Sequence, residues 1–176
     1  MSYATHKRKW SKCKKCLLCK VRHKIILGRG HIPCDILFIG EAPGVSEDRL
    51  GRPFVGPAGK LLDRIIAEAL PEARVAFTNL IACIPKDQDG KMEEPPLKSV
   101  KRCRSRLDEF VHLAKPQLIV CIGKLAAKHY NQVNVPQVSI VHPAAILRAE
   151  PYQKGLAIQE SAVTLIDAYE RYLVPF

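Results

Sequence analysis

Four short runs of β-branched and aromatic residues constrain the fold of this chain most strongly. The first run, at 36–39, ends abruptly at the turn-forming residues of 40–44. The other three runs lie at 75–81, 117–122 and 138–141, and helical patterns lie beside them at 60–70, 97–114, 124–130 and 155–173. This alternation predicts an α/β fold, a three-layer αβα sandwich around a central, mainly parallel sheet of four strands.

Length and charge suggest one basic domain. With 176 residues, 47% of them hydrophobic, we expect a single domain over residues 1–176 with one sizeable core. The formal net charge of +11 favours a polyanionic partner, although many basic proteins bind none. No apolar segment resembles a membrane span or a secretion signal, so we expect a cytoplasmic protein with no membrane partner. The first twelve residues are basic and are expected to form a frayed terminus rather than a DNA contact.

The seven cysteines indicate a metal site rather than disulfides. Their number is odd and the chain carries no secretion signal, which favours a metal or cluster site together with buried thiols. Cys13, Cys16 and Cys19 form two overlapping pairs, and the spacing alone does not select one. Cys103 lies on the apolar stripe of its predicted helix, so its thiol should face inward.

The segment that follows the first strand presents the first chemical candidates. Pro43 favours an extended backbone at Ala42, and Gly44 tolerates a positive φ, so the chain can turn sharply at the carboxyl end of the strand. Open α/β sheets keep their binding sites at that edge. The alternative is an ordinary strand-loop-helix unit with an exposed Phe54 and with Pro57 in the first helical turn.

Four ordered motifs resemble those of the uracil-DNA glycosylase superfamily, in the form carried by its iron-sulfur-containing family 4. They are Cys13-x2-Cys16-x-Leu18-x3-Arg22, the stretch GEAPGVSEDRLGRPFVGPAGKLLD at 40–63, Thr78-Asn79-Leu80 with Cys83, and His142-Pro143-Ala144-Ala145-Ile146-Leu147-Arg148. The resemblance spans nearly the whole chain. It implies the superfamily's fold and a DNA-repair glycosylase, which flips uracil out of single- or double-stranded DNA and hydrolyses its N-glycosidic bond to leave an abasic site.

The resemblance also implies a cofactor. It points to a [4Fe-4S] cluster that ties the N-terminal segment onto the body, with the ligands Cys13, Cys16, Cys83 and Cys103. Cys19 is then an additional thiol, while Cys34 and Cys121 are expected in the core beside strands. Zinc bound by the same four thiolates is the alternative.

The resemblance places a uracil pocket at the ends of the strands. Its expected uracil contacts are Gly40, Ala42, Phe54, Asn79 and His142. The Phe54 ring offers a face for base stacking, worth about 1–3 kcal/mol. The Asn79 amide can accept a hydrogen bond from N3–H of uracil and donate one to O4. Cytosine presents the opposite pattern of donor and acceptor. His142 can hydrogen-bond O2, where negative charge grows as the base leaves.

Catalysis is expected from Glu41 and His142. Ala42 stands where the best-known members of the superfamily carry a water-positioning carboxylate, so a dissociative path with late water capture is expected, aided by Glu41. Glu47 and Asp48 are expected to shape the loop.

The last motif is expected to contact DNA through Pro143, Ala144 and Arg148. Residues 144–147 could enter the duplex as a wedge while Arg148 holds a phosphate. The alternative for Ile146 and Leu147 is an amphipathic turn packed in the core.

Two other functions fit parts of the pattern. One is a non-enzymatic or polymerase-associated relative that binds uracil or DNA. The other is a cluster-bearing electron carrier, which is disfavoured because the chain has no nicotinamide or flavin fingerprint. We expect the protein to be a monomer.

Overall fold

Helices and strands alternate along the chain in the computed structural model, which describes residues 2–87, 89–131 and 134–174. The helices are α1 (Tyr3–Trp10), α2 (Val45–Leu50), α3 (Pro57–Ala69), α4 (Leu97–Ala114), α5 (Lys124–His129), α6 (Pro143–Arg148) and α7 (Pro151–Leu173). The strands are β1 (Arg29–Gly30), β2 (Ile36–Gly40), β3 (Val75–Asn79), β4 (Leu118–Ile122) and β5 (Gln137–Ile140).

The strands of the described residues form one sheet in the order β1-β3-β2-β4-β5. The pairs of β2 with β3, β2 with β4, and β4 with β5 are parallel. The short β1 pairs antiparallel with β3, with Arg29 opposite Phe77. The predicted α/β fold with a mainly parallel sheet is confirmed. The fifth strand was not predicted, because two residues are too few to show an alternating pattern.

Both faces of the sheet are covered by helices. Along β2, Leu37 and Ile39 belong to the core that contains the α4 side chains, whereas Ile36 and Phe38 belong to the core shared with α3 and α7. Successive side chains of a strand point to opposite faces, so a run without polar residues must be buried on both sides. This produces the three expected layers.

The expectation of a frayed N-terminus is wrong. Residues 3–10 form α1, whose first turn is capped by the Ser2 hydroxyl as it accepts from the Thr5 amide. His6 and Trp10, one turn apart, are buried against α4. Trp10 Nε1 donates to a Glu109 carboxylate oxygen at 3.0 Å, and His6 Nδ1 lies 2.7 Å from the same oxygen. The sequence did not reveal this narrow buried face, because the segment also contains Lys7, Lys9 and Lys12.

The helix α2 forms where a loop was expected, and the remaining departures are at the ends of elements. The C-terminal helix begins at Pro151, four residues before the expected start, and β3 ends at Asn79 rather than at residue 81. Cys34 and Cys121 are buried, as predicted, and burial raises the pKa of these thiols to about 12 and about 11. In the part of the chain that is described, no helix is long and apolar enough to cross a membrane.

Candidate functional site

A cleft of about 430 Å³ opens where β2 and β3 end. Small-molecule pockets usually have about 300–1,000 Å³. The cleft brings together most of the site residues expected from the sequence, namely Glu41, Ala42, Phe54, Asn79, His142, Ala144 and Arg148. Gly40 lies at its base, paired in register with Asn79. Pro143 is buried as the first residue of α6 and does not line the cleft.

Gly40 allows two side chains to meet over the end of β2. A Cβ atom at this position would lie 2.5 Å from Asn79 Oδ1 and 2.5 Å from Phe54 Cζ. Only glycine therefore permits the amide and the ring to approach this closely. Asn79 is 2% exposed and Phe54 is 8% exposed, so the alternative with an exposed Phe54 is wrong.

Phe54 is held in an unusual backbone conformation. Its φ of 55° lies in the left-handed region, which is unfavourable for a residue with a bulky side chain. The Arg29 guanidinium fixes this turn, because Nε donates to the Pro53 carbonyl at 2.9 Å and Nη2 donates to the Phe54 carbonyl at 3.3 Å. On α3, a Cβ atom at Gly59 would lie 2.1 Å from that Phe54 oxygen. Neither Arg29 nor Gly59 was predicted as a site residue. The partners of Arg29 are 24 and 25 residues away in sequence, and Gly59 meets Phe54 only once the turn has formed.

Glu47 ties the two ends of the loop together. Its Oε1 accepts from the amides of Val55 and Gly56 at 2.8 Å each, and its Oε2 accepts from the Gly44 amide at 3.1 Å. Asp48 is buried and accepts from the backbone amide of His23. The prediction that Glu47 and Asp48 shape this loop is confirmed.

His142 is the N-terminal cap of α6. Its Nδ1 accepts from the Ala144 amide at 3.1 Å, so the ring proton of the neutral imidazole must be on Nε2. Burial, with a smaller effect of the Arg148 charge, lowers the pKa of His142 below its ordinary value. Gly123, with a φ of 85°, makes room for the ring, since a Cβ atom there would lie 3.1 Å from His142 Cβ. The site therefore offers a neutral imidazole with one N–H donor for a ligand in the cleft.

Glu41 follows β2 directly and is half-buried at the cleft. Burial raises the pKa of this carboxyl group, and the neighbouring charge of Glu94 raises it further. Glu94 comes from the loop between β3 and α4, which also contributes Pro85, Met92 and Glu93 to the cleft lining. The position of this loop over the cleft was not predicted from the sequence.

The expected wedge is wrong at Ile146. That side chain is 1% exposed and packs in the core with residues of α3 and α7. Leu147 is 38% exposed, and Arg148 is exposed at the margin of the cleft. One helical turn cannot direct all of residues 144–147 outward, because α6 packs against both α3 and α7.

Four cysteines line a second, narrow pocket between the N-terminal segment and α4. They are Cys13, Cys16, Cys83 and Cys103, the set expected from the sequence, whereas Cys19 lines a separate groove. Arg22 Nη1 donates to Cys83 Sγ at 3.4 Å, and burial raises the pKa of the Cys83 thiol to about 12. Among the described residues, no group of three or more His, Cys, Asp or Glu side chains is arranged to hold a metal ion.

Arg106 connects the two pockets and was missed by the sequence analysis. It is 1% exposed and lines the pocket of the four cysteines. Its Nη1 donates to Thr78 Oγ1 at 2.8 Å, and its Nη2 donates to the carbonyls of Asn79 and Leu80 at 2.5 and 3.0 Å. Its position three residues after Cys103, on the buried stripe of α4, was the available signal.

Comparison with known proteins assigns the family. The family model of the uracil DNA glycosylase superfamily matches residues 27–162. The chain is 37% identical over 170 residues to a type-4 uracil-DNA glycosylase of Saccharolobus solfataricus, covering 82% of this chain and 77% of that protein. A type-4 uracil-DNA glycosylase of Archaeoglobus fulgidus is 37% identical over 159 residues, covering 77% and 78%.

A shorter alignment and a solved structure complete the comparison. The type-4 uracil-DNA glycosylase of Sulfurisphaera tokodaii is 39% identical over 119 residues, which span 66% of this chain and 52% of that protein, about half its length. The fold matches the solution NMR structure of a Methanosarcina acetivorans protein assigned as a uracil DNA glycosylase, with a TM-score of 0.51, 15% identity, and coverage of 79% and 96% of the two chains. The chain therefore belongs to the uracil DNA glycosylase superfamily, and within it to the type-4 family of these relatives.

Proposed function

We propose that this protein is a DNA-repair enzyme that removes uracil from DNA by hydrolysing its N-glycosidic bond. The observation that carries this proposal is the meeting of Phe54, Asn79 and His142 in one cleft. The three side chains supply a stacking surface, an amide and a neutral donor, which are the groups that a flipped uracil requires. The similarity of the chain to type-4 uracil-DNA glycosylases supports the same reaction.

Asn79 is proposed to identify the base. Its amide oxygen can accept from N3–H of uracil while its NH₂ group donates to O4. Because Asn79 is buried, a cytosine in the cleft would leave polar groups unpaired at a cost of about 1–3 kcal/mol. Gly40 and Ala42 keep the floor of the pocket free of side-chain atoms that would displace the base.

His142 is proposed to stabilise the leaving base. The electron pair of the C1′–N1 bond departs with uracil, and negative charge grows on O2, where the Nε2–H of His142 can donate. The ring can donate in its neutral form, because Nδ1 accepts from the Ala144 amide and burial lowers the pKa of His142. Water then adds to the cationic C1′ and releases a proton, which Glu41 at the cleft is proposed to accept.

Arg148 and Ala144 are proposed to face the DNA beside the cleft. The exposed Arg148 can hold a phosphate of a single- or double-stranded substrate. Pro143 acts indirectly, since it begins α6 and so fixes the cap at His142. We propose a monomer that works in the cytoplasm, where a single chain presents the whole cleft to DNA.

The four cysteines are proposed to hold a [4Fe-4S] cluster. Their thiols line one pocket, and four cysteine thiolates are a donor set that suits a [4Fe-4S] cluster as well as structural zinc. The resemblance to the iron-sulfur-containing family 4 favours the cluster over zinc. When bound, the cluster would supply a rigid link between the N-terminal segment, the end of β3 and α4.

The test is a uracil-containing oligonucleotide treated with the protein and then with alkali. We expect strand cleavage at the uracil, and none at cytosine in a matched oligonucleotide. His142→Ala should lower the single-turnover rate by about 10²–10³-fold, the range for losing one such donor, while DNA binding changes little. The control is His112→Ala, which replaces an exposed histidine of α4 and should leave the rate unchanged. Binding of uracil-DNA without formation of an abasic site would instead support the non-enzymatic alternative.

A further inference from the structure

Arg106 is a buried cation that lies between two separate sites. Its guanidinium donates to the Thr78 hydroxyl and to the carbonyls of Asn79 and Leu80, and the same side chain lines the pocket of the four cysteines. Asn79 is the residue that faces the cleft from the end of β3. One side chain therefore contacts the backbone behind the base-reading amide and the wall of the thiol pocket.

In the described part of the chain, the charge of Arg106 is not paired with a carboxylate. Among the described residues, no Asp or Glu forms an ion pair with it, although burying an uncompensated charge is strongly unfavourable. The thiols of Cys13, Cys83 and Cys103 line the same pocket as the Arg106 side chain. These thiols carry negative charge as metal ligands, because metal binding deprotonates them.

Three of the five guanidinium N–H donors are used on the β3 side, which leaves Nε–H and one N–H of Nη1. Arg106 Nε has no hydrogen-bond partner among the described residues, whereas both Nη atoms are used on the β3 side. A buried donor without a partner is costly, and thiolate or sulfide sulfur can accept a hydrogen bond. The guanidinium is therefore satisfied on the β3 side by carbonyl and hydroxyl oxygens, and the same side chain lines the pocket of four thiols.

We propose that Arg106 is a positioning residue that couples the thiol pocket to base recognition. The thiolates of the loaded cluster balance its charge, and its fork fixes the end of β3, so that the Asn79 amide is held in the geometry that reads uracil. This inference rests on the proposed function. Loss of Arg106 should weaken recognition of the base and also retention of the cluster, while phosphate contacts at the margin of the cleft remain.

The experiment compares Arg106→Met and Arg106→Lys with Arg104→Met in anaerobically purified protein. Methionine removes the charge at similar length, and lysine keeps the charge but loses the planar fork. Arg104 is on the same helix, partly exposed, and paired with Asp108, so its methionine variant is the matched control. Four readouts are needed: iron per chain, the rate at which a chelator bleaches the visible absorption, the inhibition constant of free uracil, and the affinity for DNA with an abasic-site analogue.

For Arg106→Met we expect chelator bleaching to be at least about 10-fold faster and the inhibition constant of free uracil to rise by about 10-fold or more, the range for losing charged hydrogen bonds. The affinity for abasic-site DNA should change by less than about 3-fold, because phosphate contacts position the protein without reading the base. Arg106→Lys should bleach at nearly the wild-type rate and still bind uracil more weakly. Arg104→Met should resemble wild type in all four readouts.

The proposal would be overturned if Arg106→Met had the same chelator bleaching rate and the same inhibition constant of free uracil as the wild-type protein. If Arg106→Met does not fold, Arg106→Lys decides, and unchanged uracil inhibition in that variant would overturn the positioning role. A failure of the proposed function has a different signature, since wild-type protein would then bind no free uracil and excise none. In that case the bleaching rates of Arg106→Met and Arg104→Met still decide whether the Arg106 charge supports the cluster.

Discussion

Glu41 and His142 line the same cleft, and burial acts on both in favour of the neutral form. The pKa of Glu41 is raised and the pKa of His142 is lowered, as expected when desolvation disfavours charge. Because burial keeps water away from these groups, a single N–H donor can act strongly on an anion that forms beside it. Phe54 also depends on its surroundings. Neighbouring elements hold it at an unfavourable φ, a conformation that the residue alone would avoid.

The pH dependence of excision should report Glu41. Its carboxylate is the active form, and its pKa lies above the ordinary value of 4.5, so the rate should fall as pH decreases through a value higher than 4.5. Glu41→Gln should lower the plateau and remove the contribution of Glu41 to this acid limb, while the contribution of His142 remains. Glu94→Gln removes the neighbouring negative charge and should move the limb to lower pH. The test is to measure single-turnover rates of wild type, Glu41→Gln and Glu94→Gln from pH 4.5 upward. An acid limb that is unchanged in Glu41→Gln would contradict the assignment.

At the scale of elements, the loop between β2 and α3 is fixed by side-chain to backbone hydrogen bonds. Glu47 accepts from amides at both ends of the loop, and Arg29 donates to the carbonyls around Phe54. Gly59 lets α3 approach the Phe54 carbonyl closely. The result is a rigid support for the stacking ring, built from contacts that the individual elements could not make alone.

Glu47→Gln should loosen this support. An amide can replace only part of the acceptor capacity of a carboxylate and presents its own N–H groups to backbone N–H groups, so about 1–3 kcal/mol of stability should be lost. Free uracil should also inhibit more weakly, because Phe54 is less well positioned. Denaturant unfolding and uracil inhibition measure the two effects. Glu68→Gln, on the exposed face of α3, is the control, and equal behaviour of the two variants would count against the role of Glu47.

At the scale of the whole molecule, the cleft and the thiol pocket are separate sites with different lining residues. The cleft forms where the parallel strands end, whereas the four cysteines join the N-terminal segment to α4 and to the residues after β3. Helix α1 adds a second attachment through His6, Trp10 and Glu109. The N-terminal segment is therefore held by packing as well as by the proposed cluster.

Protein purified without oxygen should be brown and contain iron and sulfide. Cys83→Ser and Cys103→Ser should lose the colour and fold poorly, since they remove ligands that anchor distant parts of the chain. Cys19→Ser, Cys34→Ser and Cys121→Ser should keep the colour, because these residues lie outside the four-thiol pocket. Stoichiometric zinc in colourless, active protein would show that the cofactor assignment is wrong.

The sequence by itself determined the layered α/β fold, the buried run of β2 and the full span of α4, because local periodicity records which faces are apolar. It also identified Glu41, Asn79 and His142, whose motifs lie at strand ends. Tertiary structure alone decided the roles of Arg29, Arg106 and Gly123 and the burial of Ile146 and α1. These depend on contacts between distant segments: Arg106, for example, donates to a carbonyl 27 residues away. Periodicity shows that a residue is buried or exposed, but only the packed elements show which atoms it meets.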